Sequence, residues 1–120
     1  MNISWASIYV KDMNISKQFY CEVLGLKIKH EMSPKPGLNL CFLDGGNIDY
    51  ELIEDANRSE IKMSDSVTIC FMTESLDSKI KDLKDKGVAD IVGPFQPSPH
   101  TRFIFIQDPN GMKIQIAEQL

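Results

Sequence analysis

An α+β fold made of two βαβββ modules is the architecture that these 120 residues predict. Three observations point to it. Each half contains four short segments of alternating or β-rich character and one segment with helical apolar spacing. Both halves run through these in the same order, strand, helix, then three strands, at an offset of about sixty residues with little identity, the mark of a duplicated unit. Each half also closes on a hairpin around a turn sequence, DGGN in the first and DPNG in the second.

The elements follow in order. "ISWASIYV" alternates, with Ala6, Ile8 and Val10 on one face and Trp5, Ser7 and Tyr9 on the other. In "DMNISKQFYCEVLG", Asp12 or Asn14 can cap a helix whose face carries Ile15, Phe19 and Val23, and Gly25 ends it. "LKIKHEMS" reads as a strand, "PKPG" as a break, and "LNLCFLD" and "IDYELIE" as a hairpin. The second half opens with the strand "SVTICFMT". "ESLDSKIKDLKDKG" is amphipathic, with Leu76, Ile80 and Leu83 on one face, Thr73 or Ser75 as cap and Gly87 as stop. "VADIVGPF" reads as a strand, "QPSPH" as a break, and "TRFIFIQ" and "MKIQIAE" as the closing hairpin. Residues 1–120 thus form one domain, with module 1 at 1–54, a polar linker at 55–64 and module 2 at 65–120.

A four-stranded sheet with one helix has only one face covered. Ala6, Ile8 and Val10, then Thr68, Cys70 and Met72, are assigned to the helix side. The other faces are expected to form a cup lined by Trp5, Ser7, Asp49, Glu51, Val67, Ile69, Phe71, Lys113 and Gln115. A mixed aromatic, apolar and sparsely polar lining suits a small molecule.

Composition removes several function classes. The apolar fraction is 42%, the charged fraction 25% and the net charge −4, with no Lys/Arg stripe, so nucleic acid is not an expected partner. No apolar run is long enough to span a bilayer, and the N-terminal segment lacks the pattern of a signal peptide, which makes the cytoplasm the expected location. Cys21, Cys41 and Cys70 are widely spaced and odd in number, which fits buried thiols rather than disulfides or a zinc knuckle. His30 and His100 fall among charged residues and in a Pro-broken loop, where surface roles are expected.

"SIYVKDMNISKQFYCEVLGLKI" is similar to the opening of the vicinal oxygen chelate superfamily, the glyoxalase, bleomycin resistance protein and extradiol dioxygenase family. "FIFIQDPNGMKIQI" resembles that family's closing D-P-[DN]-G-x-x-I-E motif. The resemblance implies paired βαβββ modules and a homodimer. It also implies, in metal-dependent members, a divalent metal held by one side chain from the first and last strands of each module, usually His or Gln and Glu. Carried onto this sequence, those positions are Trp5, Glu51, Val67 and Gln115. A two-residue shift on the same face brings Ser7 or Ile3, and Asp65 or Ile69, without restoring a histidine. Indole donates but cannot ligate, and valine offers nothing, so no resident cofactor is expected.

Two functions follow. The first is a metal-free binding protein holding a planar organic ligand, an antibiotic among the candidates, with Trp5 and Phe71 stacking and Ser7, Glu51, Val67, Gln115 and Arg102 completing the site; Tyr9 and Phe42 are companions. The net negative charge favours a cationic ligand. His100 with Arg102, at the mouth, would suit an anionic group instead. The alternative is a glyoxalase I-like lyase, isomerase or dioxygenase with a divalent metal, in which Glu51 is catalytic base or ligand. Glu51 and Gln115 occupy equivalent places. A mutual hydrogen bond, a ligand contact and a metal-binding role all remain open for them.

Overall fold

The alternation and caps read above give sheet and helix in the expected order, and the computed structural model describes all residues, 1–120. The chain divides into two compact units, Met1–Lys62 and Met63–Leu120. No helix is long and apolar enough to cross a membrane.

The first unit contains β1 (Trp5–Tyr9), α1 (Met13–Gln18), β2 (Lys27–Lys35), β3 (Leu38–Asp44) and β4 (Asp49–Asp55), in the sheet order β1-β4-β3-β2. The crossover through α1 lays β1 parallel to β4, while β2, β3 and β4 form antiparallel hairpins. The Asp12 carboxylate accepts from the amides of Asn14 and Ile15, satisfying two of the donors that a helix start leaves open. The helix continues as a π-helical segment, Phe19–Val23. The helix buries Met13, Ser16 and Tyr20, whereas Ile15, on the face that spacing assigned to the core, is 53% exposed; on the sheet, Val10, Cys41, Leu43, Tyr50 and Leu52 are all buried. The buried hydroxyls of Tyr20 and Tyr50 lie 3.0 Å apart and satisfy each other. At the N-terminus of α1, Glu54 Oε2 accepts from Met13 N at 2.7 Å, and Glu54 Oε1 accepts from Asn39 Nδ2 at 2.8 Å.

The second unit contains β5 (Ile69–Met72), α2 (Leu76–Asp85), β6 (Val92–Ser98), β7 (Thr101–Gln107) and β8 (Lys113–Gln119), in the order β5-β8-β7-β6, with β5 parallel to β8. Ser75 caps α2 by accepting from Ser78 N at 3.2 Å. Leu76 and Leu83 pack with Ile104, Ile106, Ile114 and Ile116, all buried. Glu118 Oε1 accepts from Leu76 N at 3.1 Å, as Glu54 does for α1.

Two further expectations are corrected. The breaks "PKPG" and "QPSPH" are shorter than the sequence suggested, because β2 runs through Pro34 to Lys35 and β6 through Pro97 to Ser98. Both are edge strands with register shifts, where a missing amide hydrogen costs no ladder bond. The second correction moves side chains between faces. Ile69 pairs with Ile114 and Phe71 with Ile116, and paired residues share a face. Ile69 and Phe71 therefore lie on the helix side, while Thr68, Cys70 and Met72 lie on the open side, one residue out of step with the sequence reading. The run "VTICFM" is apolar at nearly every position, so alternation carries no sign there.

Two outcomes follow. Glu54→Ala strips a helix amide and the Asn39 amide of their acceptor and should lower unfolding free energy by about 1–3 kcal/mol in urea titrations. Cys41 is fully buried, and desolvation pushes its thiol up to about 11, so it stays protonated through neutral pH. Native protein at pH 8 should therefore react with a disulfide reagent first at exposed Cys70, with Cys41 titrating only after denaturation.

Candidate functional site

On the open face of the first unit, register stacks the side chains in rows. One row runs Ser7, Glu51, Phe42, His30 across β1, β4, β3 and β2. Glu51 is only 7% exposed, and its Oε1 accepts from Ser7 Oγ at 2.6 Å. Oε2 takes no hydrogen bond but is not sealed from solvent, since Glu118 Oε2 alone is both buried and unpartnered. Phe42 stacks on His30 with centroids 4.6 Å apart and planes at 18°, and meets Trp5 edge-on at 6.3 Å. The adjoining row on one side holds Trp5 and Asp49, the latter paired with Lys29 at 2.9 Å. The row on the other side holds Tyr9 and Ile53, and the Arg58 guanidinium lies 3.8 Å from the Tyr9 ring centroid.

The open face of the second unit repeats the pattern with other residues. Its corresponding row runs Cys70, Gln115, Phe105, Val92. Phe105 stands beside Gln115 as Phe42 stands beside Glu51. Phe95, Phe103 and Phe105 form a ring cluster with centroids 5.4–6.1 Å apart. Lys113 Nζ lies 4.3 Å from the Phe105 centroid. Against this end of the face opens a cavity of about 680 Å³, lined by Met63, Ser64, Asp65, Asp90, Val92, Phe105, Ile106, Gln107, Gly111 and Lys113. The Gln115 side chain makes no hydrogen bond within the unit.

Several site residues are where the sequence placed them: Trp5, Ser7 and Glu51 share one open face, and Gln115 and Lys113 share the other. Others are not. Phe71 faces α2, and Val67 precedes β5 and is exposed. Extending the β5–β8 register back one residue puts Thr68, not Val67, at the place matching Trp5. Arg102 lies on the helix side, paired with Asp77 at 3.0 Å and Glu118 at 3.7 Å, and Asp77 holds its guanidinium charge more firmly than usual. It braces α2 rather than reaching an open face. His100 sits in the β6–β7 turn, where its carbonyl accepts from Leu120 N. Phe95, Phe103, Phe105 and Arg58 were missed as site residues. "TRFIFIQ" is apolar on both faces, so hydrophobicity could not say whether its phenylalanines or its isoleucines met the helix.

The donor set can now be tested against a divalent metal. Its four positions hold Trp5, Glu51, Thr68 and Gln115: an indole with no free lone pair, one carboxylate, a neutral hydroxyl and a neutral amide. Such a set does not fit a cation that needs imidazole and carboxylate ligands. Nor does any group of three His, Cys, Asp or Glu side chains assemble that could hold one.

Comparison with known proteins gives the same architecture. The family model for the Glyoxalase/Bleomycin resistance protein/Dioxygenase superfamily matches residues 2–116. A Synechocystis protein described as a "Probable lactoylglutathione lyase" is 28% identical over 119 residues, covering 92% of this chain and 90% of that protein. Among solved structures, TnmS3, an antibiotic binding protein from Streptomyces sp. CB03234, superposes with a TM-score of 0.79 at 22% identity, covering 100% of this chain and 97% of the other. Leishmania major glyoxalase I superposes at 0.75 and 21% identity, covering 98% and 86%. The solved structures speak to the fold, and the family match spans almost the whole sequence. The chain belongs to the glyoxalase/bleomycin resistance protein/dioxygenase superfamily.

Proposed function

We propose that the chain is a small-molecule binding protein that works without a resident metal, holding a partly planar organic ligand on its open sheet faces by stacking and hydrogen bonds. The observation that carries this reading is the cavity of about 680 Å³ floored by Phe105, a volume in the range typical of small-molecule pockets. Phe105 supplies the flat surface assigned to Phe71 on sequence grounds. Lys113, Gln107 and the unpaired Gln115 amide supply orienting groups. The fold shared with an antibiotic binding protein makes antibiotics one ligand class for a screen. The same reading expects two copies to associate, as the family resemblance implies, and light scattering measures that directly.

A second reading has one observation in its favour. Glu51 is a nearly buried carboxylate at the place where catalytic members carry a base or ligand. As a base it would take a carbon-bound proton next to a carbonyl, and Ser7 would have to turn from it or share it. Stabilising the resulting oxyanion would then fall to neutral donors.

Calorimetry with planar aromatic compounds should give a binding isotherm that weakens about tenfold in Phe105→Ala, roughly 1.4 kcal/mol. No binding across the panel, or unchanged affinity in the variant, defeats the reading. Protein equilibrated with nickel, zinc, manganese or iron salts and then gel-filtered should retain well under one metal per chain by elemental analysis. Stoichiometric metal that disappears in Glu51→Gln would favour the enzyme.

A further inference from the structure

We propose that the open face of the first unit is a site for a planar organic cation, and that Arg58 already occupies part of it as a tethered stand-in. The inference rests on the reading that the open faces bind small molecules, and it names the ligand chemistry of one of them.

Arg58 is delivered to this face by a built turn. Asn57 N donates to Asp55 Oδ1 at 2.9 Å, Arg58 N donates to the Asp55 carbonyl at 3.0 Å, and Ala56 N donates to the Gly37 carbonyl at 2.7 Å. Gly37 has φ +82°, and a Cβ there would lie 3.1 Å from Ala56 Cβ, so the two turns fit closely. The guanidinium so placed makes no ion pair. What it meets is the face of the Tyr9 ring, with Cζ 3.8 Å from the ring centroid, a cation–π contact.

Carboxylates on the same face favour a cation there. Asp49, Glu51 and Asp55 alternate along β4 onto this face. Lys29 neutralises Asp49, and Asp55 is engaged by the turn, which leaves Glu51 with one unbonded oxygen. Lys27 and Lys35 share the face only at β2, two strands across and two to four residues along from Glu51's row, so more than roughly 10 Å away. Trp5, 57% exposed, and Phe42 flank that carboxylate with two further rings. A carboxylate among aromatic rings recognises a flat, delocalised cation, such as an amidinium or guanidinium on an aryl group, better than a neutral planar molecule.

The experiment uses benzamidinium and its neutral near-isostere benzamide, with calorimetry and the emission of Trp5, the only tryptophan, as readouts. The expected result has three parts. Benzamidinium binds about tenfold more tightly than benzamide; Arg58→Ala tightens benzamidinium about three- to tenfold by freeing the Tyr9 ring; and Glu51→Gln, checked for fold by circular dichroism, weakens it at least tenfold. Equal binding of the two probes, or an Arg58→Ala variant that binds benzamidinium no better, overturns the proposal, as does a Trp5 emission unmoved by saturating benzamidinium in both proteins. If any of these occurs while neutral planar compounds still bind in a Phe105-dependent way, the cation site fails and the general binding reading stands. If the Phe105-dependent binding is absent as well, both fail.

Discussion

In each unit a carboxylate on the last strand takes the first free amide of the helix: Glu54 Oε2 meets Met13 N and Glu118 Oε1 meets Leu76 N. A helix start leaves amides without partners, and one pressed against a sheet cannot leave them all to water. The carboxylate answers that need from below. It also fixes which way its strand faces. With Glu54 turned to α1, the residue three earlier must point away from it, and the same holds for Glu118 and Gln115. The open faces therefore follow from the helix clamps, and so does the presence of Glu51 and Gln115 on them.

The two clamps are completed differently. Asn39 donates to the second oxygen of Glu54, whereas Glu118 Oε2 is buried with no hydrogen bond and has only the Arg102 guanidinium at 3.7 Å for compensation. That geometry explains why Arg102 is unavailable to a ligand. Its charge is committed between Asp77 on the helix and a carboxylate that would otherwise be stranded in the core.

Much of this was legible beforehand. Element order, both hairpin turns and the open-face positions of Trp5, Ser7, Glu51 and Gln115 all follow from alternation and turn residues, the caps Asp12 and Ser75 were each one of two candidates, and the spacing in "ELIE" and "QIAE" repeats a polar residue three before the clamp. What was hidden had a common cause. β5 and β7 are apolar on both faces, so a period of two cannot tell Phe71 from Cys70 or Phe105 from Ile104, and only pairing with β8 decides. Arg58 was hidden for another reason: it lies in a segment read only as a polar linker, which turns back on its own sheet.

The amide at position 115 follows from its neighbours. In the first unit the equivalent place holds a carboxylate, and the residue paired with it on the first strand is Ser7, whose hydroxyl donates a short bond of 2.6 Å. In the second unit that neighbour is Cys70, a thiol and so a weak donor. A half-buried carboxylate there would face a thiol and a phenylalanine, with no strong donor in its row, and would carry the cost of a poorly solvated charge. An amide carries none of that cost and keeps both a donor and an acceptor for whatever approaches. Each half has thus settled the same position in its own way, one as a charge held by a hydroxyl and the other as a neutral hydrogen-bonding group beside a ring.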